Sequence, residues 1–270
     1  MPSLLKERRQ FLYYKRRQLA HSVKRRIFGE KDHKYVFILS GARAGSTLLT
    51  NIIATGPDVS LTNDRGTCEG QTLPDMRGIY NRWDWALTKT VYRKHWDLTK
   101  RVLVEKSPPN LFKAEEIQEH FVPAYFIVLV RNPYAHAHGL LKRGMPDAAE
   151  RVVRMLEYQK KNMETLDRVI LVKYEETTDD PVETCARLVD WLPDLRGITT
   201  DFSFSYGGKQ DPIVNMDAEK IASISKSDYE NMSDVFRRHD SLIRFFDASW
   251  CVDQQSTRST QAAPTVLTGS

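Results

Sequence analysis

The chain has 270 residues, of which 41% are hydrophobic and 28% charged, so it can bury a core, and disorder throughout is excluded. No apolar run approaches the roughly 20 residues of a membrane-spanning helix, and no apolar leader follows Met1. Three cysteines without a CxxC pair argue against a disulfide framework or a cysteine-rich zinc site, so we expect a cytoplasmic protein. The net charge of +5 is concentrated at the N-terminus, which is weak evidence for nucleic-acid binding.

Residues 1–34 form the first predicted unit, a basic helical arm with eleven Lys and Arg against three acids. Apolar residues recur there at spacings that place them on one helical face: Leu5, Leu12, Leu19, Val23 and Ile27. Gly29 would end the helix after a basic last turn. One interpretation is a helix packed on the body with a solvated cationic face. The other is an arm that contacts an anionic membrane surface, a nucleic acid or another partner.

From residue 35 onward, short apolar runs alternate with loops and helical stretches. The runs are Tyr35–Ser40, Val59–Leu61, Val102–Glu105, Tyr125–Val130 and Val169–Val172. This alternation indicates an α/β domain over residues 35–251, with a parallel sheet of about five strands flanked by helices. An aromatic insertion at 75–97 would form either a wall or lid of the acceptor site or ordinary core. Residues 252–270 are predicted to be a disordered tail.

The segment Tyr35–Leu49 runs from a buried strand through Gly41 and Gly45 into a helix. Glycines let backbone N–H groups approach an anion, and the helix N-terminus adds free donors, although a plain turn would look similar. The loop lacks the Lys that precedes Ser or Thr in nucleoside triphosphatases. The strand 125–130 ends in Arg131 and not in an acid that holds Mg²⁺. The pattern favours a nucleotide with phosphates at two separate places and no metal.

Three motifs resemble those of the sulfotransferases that use 3′-phosphoadenylyl sulfate (PAPS). GARAGSTLL (41–49) resembles the loop that binds the 5′-phosphosulfate, and VEKSP (104–108) resembles a motif of Golgi-type and bacterial members. VLVRNP (128–133) resembles the strand and loop that bind the 3′-phosphate. The resemblance covers about residues 35–195. It implies a P-loop-like sulfotransferase fold, PAPS as cofactor, adenosine 3′,5′-bisphosphate (PAP) as product, and no metal.

The resemblance also implies roles for single residues in cofactor binding. The 5′-phosphosulfate would be held by Arg43, Ala44, Gly45, Ser46 and Thr47. Arg131 would bind the 3′-phosphate, but the serine expected eight residues later is Gly139, so one hydroxyl is missing. His136 or His138 could replace it, or could be solvated or core residues. Lys209, in the basic loop 205–210, would close over the adenine and 3′-phosphate, or would be a solvated lysine.

Sulfuryl transfer requires a base that takes the acceptor's proton and a cation that stabilises the leaving phosphate oxygen. Lys106 suits the second task because it follows a strand's carboxyl end, where open α/β sheets place their ligands. Arg43 could assist, and so could Glu105 beside Lys106, unless Glu105 serves simply to orient the loop. Glu69 resembles the catalytic glutamate of tyrosylprotein and some bacterial sulfotransferases, so it is the candidate base. Two further residues are reserve bases: Asp64 and His95.

We therefore expect a sulfotransferase that moves a sulfuryl group from PAPS to a hydroxyl or amine, in a small molecule or a glycan. The acceptor itself stays open. One alternative is a P-loop kinase or another nucleotide-binding protein. The other is a non-catalytic module that binds an anionic surface through residues 1–34.

Overall fold

The computed structural model describes residues 4–201, 204–206, 209–211 and 213–251, with side chains from Arg8 to Asp201 and from Ile213 to Cys251. Its strands are β1 Lys34–Leu39, β2 Val59–Leu61, β3 Val102–Glu105, β4 Ala124–Val130, β5 Val169–Lys173, β6 Phe204–Tyr206 and β7 Lys209–Asp211. Its helices are α1 Leu4–Phe28, α2 Ser46–Ala54, α3 Trp85–His95, α4 Ala114–His120, α5 Pro133–Leu141, α6 Ala148–Thr165, α7 Tyr174–Asp179, α8 Pro181–Trp191, α9 Asp217–Ala222, α10 Lys226–Arg238 and α11 Asp240–Phe246. Within these residues no helix is both long and apolar enough to cross a bilayer.

The centre of the fold is a five-stranded parallel sheet in the order β2-β3-β1-β4-β5. Successive side chains of β1 point to opposite faces, so Phe37 and Leu39 join one core cluster, and Val36 and Ile38 join the other. All four side chains are fully buried. The predicted parallel sheet flanked by helices is therefore confirmed, because strands covered on both faces must be apolar along their whole length.

The chain enters the sheet at its middle strand, β1, whose neighbours β3 and β4 continue to opposite sides. All five carboxyl ends lie at one edge of the sheet because the strands are parallel. The loops that follow β1, β2, β3 and β4 therefore gather beside the point where the strand order reverses. Open α/β sheets bind their ligands at this place.

Helix α1 packs on the body, but through a polar and aromatic face and not through the apolar face that the spacing predicts. Tyr14 is buried and donates its hydroxyl to Asn63 Oδ1 at 2.8 Å. Arg17 donates to the main-chain oxygens of the residues at the end of β2 and just after it, Leu61 and Thr62. The apolar side chains from Leu12 to Ile27 point to solvent instead. Leu5 lies outside the residues whose side chains are described.

The aromatic residues of segment 75–97 belong mostly to the core. Trp85, Tyr92 and Trp96 are buried, and the Trp96 indole donates to the Val104 carbonyl oxygen at 3.1 Å. Tyr35 of β1 packs against Trp96, with 5.7 Å between ring centroids. The interpretation of these three rings as a wall or lid of the acceptor site is therefore wrong, since they are buried in the core and do not line the cavity described below. The predicted tail at 252–270 lies outside the described residues.

Candidate active site

The loop between β1 and α2 has the geometry of an anion cradle. Gly45 has φ +94°, and a Cβ there would lie 2.7 Å from Tyr174 Cε2, so only glycine fits. Helix α2 begins at Ser46 without a side-chain cap. Its first N–H groups therefore lack intrahelical partners and carry the positive end of the helix dipole. The hydroxyl-bearing Thr47 and the buried Ala44 complete the loop.

His136 supports this loop from behind and is not free to bind a phosphate. Its Nε2 lies 2.8 Å from the Ala42 carbonyl oxygen, which can only accept, so the ring carries its proton on Nε2. Burial lowers the pKa of His136 to about 4, so the ring is neutral. A Cβ at Gly41 would lie 2.7 Å from the same ring. His138 is also buried, with Nε2 3.4 Å from Ser223 Oγ, so a solvated position is wrong for both histidines.

Lys106 joins the anion cradle to the candidate base, Glu69. Its side chain is only 2% exposed, and its Nζ lies 3.4 Å from Thr47 Oγ1 and 3.4 Å from Glu69 Oε1. Gln71 Nε2 donates to the other oxygen of Glu69 at 2.7 Å. The structure thus brings together three side chains that were predicted to act together, although they come from α2 and from the loops after β2 and β3.

Glu105 is fully buried behind this cluster and organises the two loops. It accepts from Ser107 Oγ at 2.6 Å, from the Gly70 N–H at 3.1 Å and from Asn110 Nδ2. Burial raises the pKa of Glu105 to about 7 against the opposing effect of these donors. Its contacts hold the main chain beside Glu69 and do not reach the cavity. The structure therefore gives Glu105 the orienting role that was one of its expected functions.

Arg131 lines the cavity, but its guanidinium is already paired. Nε donates to Asp217 Oδ1 at 2.9 Å, Nη2 donates to the same oxygen, and Nη1 donates to the Arg43 carbonyl oxygen at 3.0 Å. The guanidinium also stacks on the Tyr174 ring at 3.9 Å. Three of its five N–H groups are therefore used, and two remain for an anion.

A second carboxyl group, Glu175, stands beside this ion pair. Glu175 Oε1 accepts from the Asn132 N–H at 2.6 Å, while the other oxygens of Glu175 and Asp217 are both buried. Burial and the neighbouring Asp217 carboxylate raise the pKa of Glu175. A raised pKa favours the protonated, neutral form of Glu175, so the carboxylate that offsets the charge of Arg131 is that of Asp217.

The side chain of Arg43 occupies the space above Gly139. A Cβ at Gly139 would lie 3.0 Å from Arg43 Cβ, and the main chain of Arg43 has φ +74°. A serine at position 139 would crowd this side chain. Position 139 is where the expected serine hydroxyl is missing, and the cation beside it is therefore Arg43. The sequence assigned Arg43 to the 5′-phosphosulfate. Neither His136 nor His138 takes the place of the hydroxyl.

A cavity of about 630 Å³ connects these parts. Among the described residues that line it, five carry basic groups and one carries an acid: Arg43, Lys106, Arg131, Arg143, Lys220 and Glu69. Burial lowers the pKa of Lys220 to about 8. The sequence motifs include neither Arg143, which follows α5, nor Lys220 of α9, a helix that lies far along the chain and carries no recognisable motif.

Two other predicted site residues, Asp64 and His95, do not line this cavity. Asp64 accepts from Tyr13 Oη at 2.7 Å, and His95 Nε2 lies 3.0 Å from Gln18 Nε2, so both belong to the contact with α1. Burial lowers the pKa of His95 to about 4. Neither reserve base lines the cavity, so those two predictions are wrong. The main chain around Lys209 forms the antiparallel pair β6–β7 and not an open loop, and its side chain lies outside the described part.

Comparison with known proteins shows the fold and gives a family match to the central segment. Residues 80–195, less than half of the chain, match the sulfotransferase family. The sulfotransferase domain of the Synechococcus PCC 7002 olefin synthase is 20% identical, with 77% of this chain and 96% of that chain covered and a TM-score of 0.52. For a sulfotransferase from Alicyclobacillus acidocaldarius the identity is 17%, the coverage 82% and 99%, and the TM-score 0.51. No curated protein sequence matches the chain. The predicted resemblance is therefore confirmed for the sulfotransferase family at this segment and for the fold.

Proposed function

From its sulfotransferase fold and the family match over residues 80–195, we propose that this chain transfers a sulfuryl group from PAPS to a hydroxyl or amine of a small molecule or glycan. One observation carries the proposal. Lys106 is buried between Thr47 of the anion cradle and the carboxylate of Glu69, with 3.4 Å to each. A base, a cation and a phosphate-binding loop are thus in direct contact at the edge of the sheet where ligands bind.

The residues present fit a doubly phosphorylated adenosine. At one end of the cavity, the uncapped N-terminus of α2 and the hydroxyls of Ser46 and Thr47 offer neutral donors for the 5′-phosphosulfate. At the other end, the two remaining donors of Arg131, the Arg43 guanidinium and Lys220 would hold the 3′-phosphate. PAPS would supply the activated sulfuryl group.

Glu69 and Lys106 divide the remaining chemistry. The Glu69 carboxylate would take the proton from the acceptor oxygen or nitrogen as its bond to sulfur forms. Lys106 would leave Glu69 and donate to the phosphate oxygen from which sulfur departs, because that oxygen gains negative charge as its bond to sulfur breaks. Thr47, already 3.4 Å from the ammonium, would fix its direction. Each contact strengthens as charge develops, which lowers the barrier.

A transfer assay with ³⁵S-labelled PAPS and an acceptor panel of phenols, alcohols, amines and sugars tests this proposal. We expect label in at least one acceptor with the wild type and none with Lys106→Ala. Lys113→Ala, a half-buried lysine seven residues further on, serves as the matched control and should keep the activity. Equal turnover of Lys106→Ala and wild type would remove Lys106 from the mechanism.

A phosphoryl-transfer function is the competing candidate, and thermal stabilisation distinguishes the two. We expect PAP to raise the melting temperature and ATP with Mg²⁺ to have a much smaller effect, because no Lys follows Gly45 and no acid follows β4. Stronger stabilisation by ATP with Mg²⁺ would support a kinase or nucleoside triphosphatase.

A further inference from the structure

The outward face of α1 combines exposed apolar side chains with cations. The apolar stripe consists of Leu12, Leu19, Val23 and Ile27, with Leu19 and Ile27 each 67% exposed. One helical turn brings positions three and four residues apart onto the same face, so these side chains form a continuous line. Single exposed leucines are ordinary on protein surfaces, but a line of four on one helix is not.

Basic residues flank this stripe on both sides, and all of them are exposed: Arg8, Arg9, Lys15, Arg16 and Arg26. By helical periodicity, Arg8, Lys15 and Arg26 lie along one border, and Arg9 and Arg16 lie along the other. No Asp or Glu occurs in α1 from Arg8 to Phe28. The outward face therefore carries a uniformly positive charge beside its apolar stripe.

The opposite face of α1 holds the helix to the body, so the outward face is presented in a fixed orientation. Tyr14, Arg17 and Lys24 bind Asn63, the end of β2 and Asp97, respectively. The contacts are polar and specific, and they use none of the residues of the stripe. A helix that is anchored in this way loses little conformational entropy when its other face binds a surface.

We propose that the outward face of α1 binds the surface of an anionic lipid membrane, with the apolar stripe inserted at the boundary of headgroups and acyl chains. Charge complementarity and the apolar stripe both favour this partner. A nucleic acid would use the cations but would leave the leucines in water. A second copy of the chain would cover the stripe but would oppose cations to cations, with no acid on the face to pair with them.

Co-sedimentation of the full chain with vesicles tests the proposal. One set contains phosphatidylcholine alone, and the other contains about two parts phosphatidylcholine to one part phosphatidylglycerol. We expect binding to the anionic vesicles only. The triple variant Leu12→Gln, Leu19→Gln, Ile27→Gln should weaken it at least about tenfold. Replacing Arg16 by Gln should weaken it about fivefold.

Val182→Gln is the matched control, because Val182 is equally exposed (68%) but lies beside Glu183 on α8. It should bind as the wild type does, and the triple variant should melt at the wild-type temperature, since the anchored face is unchanged. Binding that is absent, equal on neutral vesicles, or unaffected by the triple substitution would overturn the proposal. Dimers that form in solution and disappear in the triple variant, without vesicle binding, would assign the face to a second copy.

Discussion

Replacing Asp217 by Asn changes the charge around Arg131 with almost no change in shape. In the structure, Asp217 Oδ1 accepts from two N–H groups of the guanidinium, and an Asn side chain keeps an oxygen at that position. Arg131 would therefore stay in place, while the carboxylate that competes with an incoming phosphate would be gone. We expect PAP to bind Asp217→Asn more tightly than the wild type.

The size of this effect follows from the geometry. A phosphate on the far side of the guanidinium would lie roughly 6–7 Å from the Asp217 carboxylate, where two unit charges repel by about 2–3 kcal/mol at an effective dielectric constant of about 20. Solvent in the open cavity screens part of this, which leaves about 1–2 kcal/mol, or about a tenfold lower Kd. The ligand-free variant should also melt at a lower temperature, because Arg131 loses its charged partner.

Isothermal titration calorimetry with PAP measures the change directly. Glu219→Gln is the control, because Glu219 is an exposed acid of the same helix, α9, and should change Kd less than about twofold. Weaker binding of PAP by Asp217→Asn would refute the reasoning. Asp217 would then act mainly to position Arg131, and its carboxylate would not compete with the ligand.

Three further results are expected. Glu69→Gln should lower turnover by about 10²–10⁴-fold with little change in the Kd of PAP. Lys106→Ala should lower both the turnover and the affinity for PAP. Kinetics and calorimetry on the same samples would measure the two quantities. The Kd of PAP should rise as pH increases through about 8, because Lys220 loses its proton there. In titrations between neutral and alkaline pH, Lys220→Met should remove this pH dependence. Gly139→Ser should weaken PAP binding, because its Cβ would lie 3.0 Å from Arg43 Cβ; tighter binding would show that the serine hydroxyl is a better ligand than the displaced arginine.

The sheet and the cluster of Thr47, Glu69 and Lys106 could be predicted from the sequence because local patterns determine both. The strands read as apolar runs, and parallel strands must bring their carboxyl ends to one edge. Lys106 follows β3 directly, and Thr47 and Glu69 lie in the connections that follow β1 and β2, so their proximity followed from the topology. The sequence could predict that these three side chains lie close together, but not the 3.4 Å contacts of Lys106 Nζ with Thr47 and Glu69.

The surroundings of Arg131 could not be predicted, because its partner Asp217 is 86 positions away and stands in a helix without a motif. The same reason explains the orientation of α1. Its apolar spacing favours burial of the stripe, but Tyr14 and Arg17 find hydrogen-bond partners more than 40 positions away, and these contacts turn the stripe outward. Pairings between distant polar residues leave no periodic signal in a sequence.

In the proposed function, one cavity binds both phosphate-bearing ends of a single nucleotide. Calorimetric titration of the wild type with PAP, with adenosine 5′-monophosphate and with adenosine 3′-monophosphate tests it most directly. We expect PAP to bind at least about a hundredfold more tightly than either monophosphate, since each phosphate would meet its own charged donors. Equal affinity for PAP and one of the monophosphates would contradict it, because one of the two ends would then contribute nothing.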